Sequence, residues 1–349
     1  MTADDIENAV GTRCRRARSP INGAVVVLVS VLWLLASCGC MSTAGNEEQT
    51  DLGPEGERWS EASFAQKPGF HRGAMEVDDR QRDFAVYLPE SGSESDSTLL
   101  FVLHGGGGDI DRIRNLGFEQ QADVDGGVVV YPEAFGGRWA DGRGVTDADV
   151  DGVDDVEFVL ALLDALEANL EIDASSVVAT GPSNGGMMSF RIGCEAGDRF
   201  TGIAPVIAAM PTALKEDCRP TDSLKVLGIQ GTEDPLIDID GGAVVHDNFE
   251  RLGAGGDVES ATSTMEWWAE ALNCESEPEI DDLEPVDDED STRVRRTRFT
   301  GCGSEDGLRY FVVDGMGHTW PPRDGVLRGI SGPSSPQLDA TELIWQWRD

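Results

Sequence analysis

The sequence predicts an α/β fold in which a mostly parallel sheet is covered by helices on both faces. Short runs rich in β-branched residues, typical of strands buried on both faces, alternate with amphipathic segments of helical periodicity. Three polar side chains that could perform chemistry each follow one of these runs, at the edge where parallel strands end. With 349 residues, of which 40% are hydrophobic, the chain is long enough for one large domain with a substantial core.

Several segments have the composition of strands and others that of helices. The expected strands are 73–77, 82–89, 98–103, 127–131, 176–180, 200–207, 224–230, 293–300 and 308–314. The expected helices are 119–124, 153–170, a segment that starts near Gly185, one that contains Trp267 and Trp268, and 338–347. The loop 132–151 is long, glycine-rich and aromatic, and we expect it to lie outside the core. A strongly acidic segment, 275–290, precedes the last two strands.

The first 37 residues have the pattern of an export signal. Several arginines precede an apolar run, 21–36, that is short for a membrane span and of the right length for a secretory signal. The run ends in Leu-Ala-Ser-Cys38, which resembles the bacterial lipobox and predicts cleavage before Cys38 and its lipidation; an ordinary secretory signal or an uncleaved anchor is the alternative. Residues 38–69 are small, polar and acidic, as in a solvated tether, which places the folded domain at 70–349.

The net charge limits the kinds of partner that the protein is expected to bind, and the cysteines indicate the compartment in which it folds. A formal net charge of −38 repels nucleic acid and anionic membrane faces, so we expect no nucleic-acid partner and membrane contact only through a lipid anchor. Four of the seven cysteines lie in the predicted folded domain. An even number in an exported chain favours two disulfides, and proximity in sequence suggests the pairs Cys194–Cys218 and Cys274–Cys302. The cysteines show no C-x-x-C spacing, so the sequence gives no reason to predict a zinc site.

The segment 177–188, VVATGPSNGGMM, contains the G-x-S-x-G pattern of a nucleophile elbow. Gly181 and Gly185 flank Ser183 because the strand-to-helix turn is tight, and a β-carbon at either position would collide with it. The pattern alone also fits an ordinary glycine-rich turn. A buried strand before it and an amphipathic helix after it favour the elbow, with Ser183 as nucleophile.

Four consecutive glycines, 105–108, directly follow His104 at the end of a buried strand. Backbone N–H groups exposed in such a loop are what an oxyanion hole requires, and we expect Gly106 and Asn184 to supply the two donors. A flexible linker is the alternative, although a linker seldom lies at the carboxyl end of a strand.

The four histidines allow the catalytic base to be assigned by position. His71 and His104 precede the nucleophile, and His246 follows Asp234 without an intervening strand. His318 alone lies in a glycine-rich loop, GMGHTWP, after a final strand.

Asp234, in GTEDP after the strand 224–230, is the expected partner of this base. Asp238, Asp240 and Asp314 compete with it, but the strand-then-turn setting favours Asp234. The order of serine, aspartate and histidine along the chain is that of α/β-hydrolases.

The run Asp147-Ala-Asp149-Val-Asp151-Gly begins like an EF-hand calcium loop. The twelfth position, which requires a bidentate glutamate, is occupied by Phe158. Helix capping and surface charge are therefore the favoured interpretation, and no metal site is predicted.

Taken together, these motifs resemble those of the polyhydroxybutyrate depolymerase-like esterases, the LpqC and feruloyl esterase group. The matching pieces, spread over residues 70–349, are RDFAVYLP, LHGGGG, VVVYPE, VDDVEFVLALLDAL, ATGPSNGGMMSFR, FTGIAPV, GTEDP and GHTWP. The resemblance implies an α/β-hydrolase fold and a secreted serine esterase that uses Ser183, His318 and Asp234 and no cofactor. Pro182 departs from the residue common at that position, and the segment 275–290 is more acidic than usual.

The expected function is hydrolysis of carboxylic esters of the polyhydroxyalkanoate, feruloyl or acetyl-polysaccharide type. A serine peptidase of the same fold and a non-catalytic lipoprotein that binds glycans or polyesters are the alternatives, and a complete triad argues against the last. Trp139 and Trp320 are candidate substrate contacts, because both belong to loops at the carboxyl-end face, where an exposed indole would stack on a sugar or phenolic ring. Indoles packed into the loop interiors are the alternative interpretation.

Overall fold

The computed structural model describes residues 58–59, 67–90, 97–170, 174–244, 255–305, 307–323 and 332–348. Its strands are β1 Arg58–Trp59, β2 Gly69–Val77, β3 Arg80–Leu88, β4 Ser97–Val102, β5 Val128–Pro132, β6 Ala174–Pro182, β7 Gly202–Val206, β8 Lys225–Gly231, β9 Gly242–Ala243, β10 Asp257–Val258, β11 Glu279–Asp282, β12 Arg293–Phe299 and β13 Leu308–Asp314. Its α-helices are α1 Ile110–Ile113, α2 Phe118–Asp125, α3 Asp147–Val150, α4 Asp155–Leu170, α5 Asn184–Glu195, α6 Thr212–Lys215, α7 Ala261–Ala271 and α8 Ala340–Trp347.

Within these residues, eleven strands form one sheet in the order β1-β2-β3-β5-β4-β6-β7-β8-β13-β12-β11. The six central strands, from β5 to β13 in this order, are all parallel to their neighbours. Antiparallel pairing is found on both sides, where β3 pairs with β2 and β5, and β12 pairs with β13 and β11. The α/β class and its mostly parallel sheet are confirmed, and the protein has the α/β-hydrolase fold.

The two faces of the sheet are covered by different helices. On one face, Leu99 and Phe101 of β4 lie in a cluster with buried residues of α4 and α5. On the other face, Leu100 and Val102 belong to a cluster that contains Ile344 and other residues of α2 and α8. Successive strand residues are therefore buried on opposite faces, which explains why the central strands are continuous apolar runs in the sequence.

The order of the strands creates a crevice at the edge where candidate site residues were expected. From β4 the chain goes to β5 on one side and then to β6 on the other. In open α/β sheets, ligands bind outside the carboxyl ends of the strands at this reversal. The glycine loop 105–108 and the predicted elbow emerge from β4 and β6, so they lie side by side at this point.

Both ends of the sheet differ from the sequence prediction. Arg58–Trp59, within the predicted tether, pairs in parallel with β2, so the sheet begins earlier than residue 70. The acidic segment contains an unexpected edge strand, β11, whose carboxylates pair with arginines directly opposite on β12: Asp282 with Arg295, Asp281 with Arg296, and Glu279 with Arg298. Opposite charges across a strand pair stabilise it modestly, and a charged edge resists pairing with other chains.

Of the predicted features of export, the two disulfides can be compared with the structure, whereas the signal and the lipidation site cannot. The disulfides Cys194–Cys218 and Cys274–Cys302 are both present, as the spacing suggested. Within the described residues, no helix combines the length and apolarity needed to cross a membrane. The apolar run 21–36 and Cys38 lie outside the described residues.

The run of aspartates that begins like a calcium loop lies at the capped N-terminus of a helix. Thr146 is the N-cap of α3, and its side chain and that of Asp149 form a reciprocal capping box. The Asp147 carboxylate accepts a hydrogen bond from Arg138 at 3.0 Å. The capping interpretation of this run is confirmed. In the part of the chain that the structure describes, no group of three or more His, Cys, Asp or Glu side chains is arranged to hold a metal.

Candidate active site

Ser183 lies in the turn between β6 and α5 with φ 58° and ψ −123°. A positive φ is a strained conformation for a residue with a β-carbon, and such strain is concentrated at functional sites. The Ser183 N–H donates to the Val206 carbonyl at 3.0 Å, and its carbonyl accepts from Met187 N–H in the first turn of α5 at 2.8 Å. From residue 176 to residue 190, every residue except Ser183 is buried, so the turn presents the serine alone.

The glycines of the elbow are required by the neighbouring strand. A β-carbon on Gly181 or on Gly185 would overlap the carbonyl oxygen of Leu103, just past the end of β4. One on Gly186 would lie 2.6 Å from the β-carbon of Ala208. From the sequence alone, the collision was expected within the turn itself. The structure shows that the clash arises instead because the elbow is pressed against the chain that leads into the glycine loop.

Asp234 and His318 come together from the loops after β8 and β13. Nδ1 of His318 lies 2.7 Å from Oδ2 of Asp234. The other carboxylate oxygen, Oδ1, accepts from the N–H groups of Leu236 at 2.8 Å and Ile237 at 3.0 Å. Both side chains are buried. The two N–H groups thus hold one oxygen of the carboxylate, and the other oxygen contacts Nδ1 of the imidazole. This contact fixes the ring orientation, so that Nε2 is the nitrogen left to exchange a proton.

The competing residues have other partners. Asp238 accepts from the N–H of Asp240 at 2.9 Å, and Asp314 accepts from the Thr232 hydroxyl at 3.0 Å. His71 bonds to the backbone carbonyl of Lys67. His246 lies outside the described residues.

Ser183 and His318 are brought to the same edge of the sheet. Among the residues that the structure describes, no hydrogen bond joins the serine hydroxyl to the imidazole. Catalytic hydrogen bonds are often long before substrate binds and tighten in the complex.

The glycine loop leaves donors available beside the serine. Gly107 N–H donates to the Gly137 carbonyl at 2.8 Å, and Gly108 N–H donates to the Gly105 carbonyl at 2.9 Å. In contrast, the N–H groups of Gly106 and Asn184 have no partner within the described ranges of the chain. Two unpaired N–H groups, at the edge of the sheet where the strand order reverses, form an arrangement that can stabilise an oxyanion.

His104 fixes the start of this loop as a neutral side chain. It is buried, and burial lowers its pKa to about 4. Nδ1 donates to the Gly105 carbonyl at 2.9 Å, and Nε2 accepts from the Ala134 N–H at 3.1 Å. A neutral imidazole with its proton on Nδ1 satisfies both contacts. In the sequence, His104 stood out only as a possible base, although its position directly before four glycines was a signal for a supporting role.

The prediction that Trp139 and Trp320 stack on substrate is wrong, because neither ring is exposed. Both side chains are fully buried. The indole N–H of Trp139 donates to the His104 carbonyl at 2.8 Å, and that of Trp320 donates to the Thr341 hydroxyl at 3.0 Å. An indole needs a partner for its N–H and apolar contacts for its rings, and both are supplied inside the protein. The loop 132–151 is therefore partly core, contrary to expectation.

The side chain of Asn184 has a role that was not predicted, since only its backbone N–H was expected to contribute to the site. The buried amide bonds to both backbone groups of Trp139 and to the carboxylate of Asp141. Asp141 in turn forms a buried ion pair with Arg143. No local pattern marks these partners, because they lie more than forty positions earlier in the chain.

No protein-family model matches the chain. NocK of Nocardia uniformis subsp. tsuyamanensis, a protein described as an esterase, is 32% identical over 250 residues, which are 70% of this chain and 72% of the relative. A protein of Aspergillus niger described as feruloyl esterase C is 25% identical over 272 residues, which are 74% of this chain and 82% of the relative.

Solved structures of esterases are also similar. Acetyl xylan esterase from Aspergillus awamori has a TM-score of 0.48 and 16% identity, with 69% of this chain and 90% of that chain covered. LpqC, a poly(3-hydroxybutyrate) depolymerase from Bordetella parapertussis, has a TM-score of 0.39 and 20% identity, with 48% of this chain and 67% of that chain covered.

Proposed function

Because the chain belongs to the polyhydroxybutyrate depolymerase-like esterase family, the group of NocK and the feruloyl esterases C, and is thus a carboxylic ester hydrolase, we propose that Ser183, His318 and Asp234 are its catalytic triad. The observation that carries the proposal is the 2.7 Å contact between His318 Nδ1 and Asp234 Oδ2. It occurs at the sheet edge where Ser183 occupies the strained elbow. The three groups follow β6, β8 and β13, and their position after parallel strands of one sheet supports the proposal.

In the acylation step, the Ser183 oxygen bonds to the ester carbonyl carbon while its proton passes to Nε2 of His318. The buried Asp234 carboxylate stabilises the imidazolium that forms. The same proton then moves to the leaving oxygen as the ester C–O bond breaks, which releases the alcohol and leaves an acyl group on Ser183. Water repeats the sequence with His318 as base, releases the acid and restores the serine.

The negative charge that develops on the carbonyl oxygen is held by the N–H groups of Gly106 and Asn184. Donors of this kind are typically worth about 3–4 kcal/mol each in the barrier. Their value depends on rigid placement, and the loop is fixed by the neutral His104 and by the Gly107 bond to Gly137.

We propose that the substrates are esters of the feruloyl, acetyl-polysaccharide or polyhydroxyalkanoate type, since the relatives and similar structures carry names of these classes. A panel of feruloyl, acetyl and hydroxybutyrate esters beside p-nitrophenyl esters would rank the acyl groups. The triad is tested by a fluorophosphonate probe, which should label the native protein and not Ser183→Ala. Ser189→Ala is the matched control, because Ser189 is a buried serine of helix α5, which follows Ser183, and its hydroxyl donates to the Gly185 carbonyl. Labelling of Ser183→Ala at the native rate would refute the assignment.

The proposed location is outside the cytoplasm, with the enzyme held at a membrane by lipid on Cys38. The two disulfides support an oxidising compartment. One acyl chain binds a membrane only marginally, so stable anchoring needs more than one. Cys38→Ser should abolish both the incorporation of labelled fatty acid and the cleavage before residue 38, and unchanged processing and labelling of that variant would contradict the lipobox interpretation.

A further inference from the structure

The residue after the nucleophile is anchored by its side chain to the loop 132–151. The Asn184 amide oxygen accepts from the Trp139 N–H at 2.9 Å. Its nitrogen donates to the Trp139 carbonyl at 3.1 Å and to Oδ2 of Asp141 at 2.6 Å. The side chain is buried, so these bonds hold it without competition from water.

The acceptor on Asp141 is itself held by an ion pair. Nε and Nη2 of Arg143 lie 2.9 and 2.7 Å from the Asp141 carboxylate, and Nη1 donates to the Gly255 carbonyl at 3.0 Å. The exposed fractions of the two side chains are 3% for Arg143 and 0% for Asp141. A buried ion pair is often no more stable than apolar residues of the same volume, so stability alone does not account for it.

A geometric role for the pair follows from the backbone N–H group that Asn184 is proposed to supply to the oxyanion. Its N–H begins helix α5 and has no partner among the described residues, so no hydrogen bond of its own directs it. The side chain shares the same α-carbon and is fixed at three points. Catalytic groups must be held within about 0.5 Å of their productive positions. We propose that Asp141 is a positioning residue, acting through the Asn184 side chain to aim the Asn184 N–H at the oxyanion. This inference rests on the proposed function.

A second buried ion pair holds the same loop and supplies a control. Arg82 pairs with Asp155, with exposed side-chain fractions of 2% and 0%. Asp155 accepts from the Ala140 N–H at 2.7 Å, one residue from Asp141. This pair makes no hydrogen bond to Asn184, so we expect it to support the loop without affecting the position of the Asn184 N–H.

The experiment compares two double variants that both remove the ion pair and differ only in the residue at position 141. Asp141→Asn with Arg143→Met keeps an oxygen acceptor for the Asn184 amide, whereas Asp141→Leu with Arg143→Met removes it. Relative to the asparagine variant, the leucine variant should have kcat on p-nitrophenyl acetate reduced about 10- to 100-fold with KM unchanged, because a displaced oxyanion donor is lost only in the transition state. The inhibition constant of a trifluoromethyl ketone, which forms an oxyanion on the serine, should rise by the same factor.

The control variant, Asp155→Leu with Arg82→Met, should lower the melting temperature and leave kcat within a few-fold of the native value. If the leucine variant at Asp141 does not fold, Asn184→Ala tests the same point, since it keeps the N–H and removes only the anchor. Equal kcat values for the Asp141 variants, or for Asn184→Ala and the native enzyme, would overturn the inference. An inactive native enzyme, or an active Ser183→Ala, would instead refute the proposed triad.

Discussion

Replacement of His104 by glutamine should remove a large part of the acid sensitivity of the fold. The side-chain carbonyl oxygen of the introduced glutamine can reach the place of Nε2 and accept from the Ala134 N–H, but it does not titrate. In the native protein, burial lowers the pKa of His104 from 6.5 to about 4. Between these pH values the imidazole is protonated in the unfolded chain and neutral in the folded chain. The stability that the neutral His104 contributes is therefore fully present above pH 6.5 and is lost as the pH falls towards 4.

The size of the effect follows from the pKa values. One pKa unit corresponds to about 1.4 kcal/mol, so a fall from 6.5 to about 4 is worth about 3 kcal/mol. Urea unfolding with intact disulfides, at pH near 7 and near 4, gives the loss of unfolding free energy for each protein. The loss should be about 3 kcal/mol smaller for His104→Gln than for the native chain, because the carboxylates contribute equally to both. Equal losses in the two proteins would refute the assignment of a neutral, buried His104.

Three further perturbations test the packing around the site. Gly185→Ala should reduce kcat by at least about 100-fold and lower the melting temperature, because its β-carbon overlaps the Leu103 carbonyl; native kinetics would contradict the close contact. Burial raises the pKa of Glu133 from 4.5 to about 7, so ionisation of this carboxyl group costs stability as the pH rises from 4.5 to 7, and the loss is complete above 7. Glu133→Gln should therefore stabilise the protein at pH 8 and not at pH 4, as thermal unfolding would show, and a gain at both values would be inconsistent with this pKa. Removing the Cys274–Cys302 bridge by serine substitution should cost about 3–4 kcal/mol in urea unfolding, and a cost near zero would mean that the bridge constrains little in the unfolded chain.

The central part of the fold could be predicted because burial on both faces makes single segments continuously apolar. The strands 98–103 and 224–230 are apolar almost throughout and correspond to β4 and β8 with shifts of one residue at their ends. The disulfide pairs could be predicted because each joins cysteines close in sequence. The relation between Asp234 and His318 could be anticipated from their places after strands, since a parallel sheet collects the ends of its strands at one edge.

The edge of the sheet could not be predicted by the same reasoning. β11, Glu279–Asp282, has one apolar residue, Ile280, and that side chain is 61% exposed. Its pairing depends on arginines of β12 that come later in the chain, and this information is absent from the segment itself. Burial of Trp139 was missed for a similar reason, because its ring packs beside His104 and its N–H bonds to the His104 carbonyl, which only the folded chain brings together.

Transfer of the acyl group to Ser183 can be observed directly by acid quenching in the pre-steady state. Enzyme mixed with excess p-nitrophenyl ester should release a burst of p-nitrophenol equal to the enzyme concentration, provided that deacylation is slower than acylation. Peptide mapping of the quenched enzyme should find the acyl group on the peptide that contains Ser183, and Ser183→Ala should carry none. An acyl group on another residue, or the same acylation in Ser183→Ala, would contradict the account.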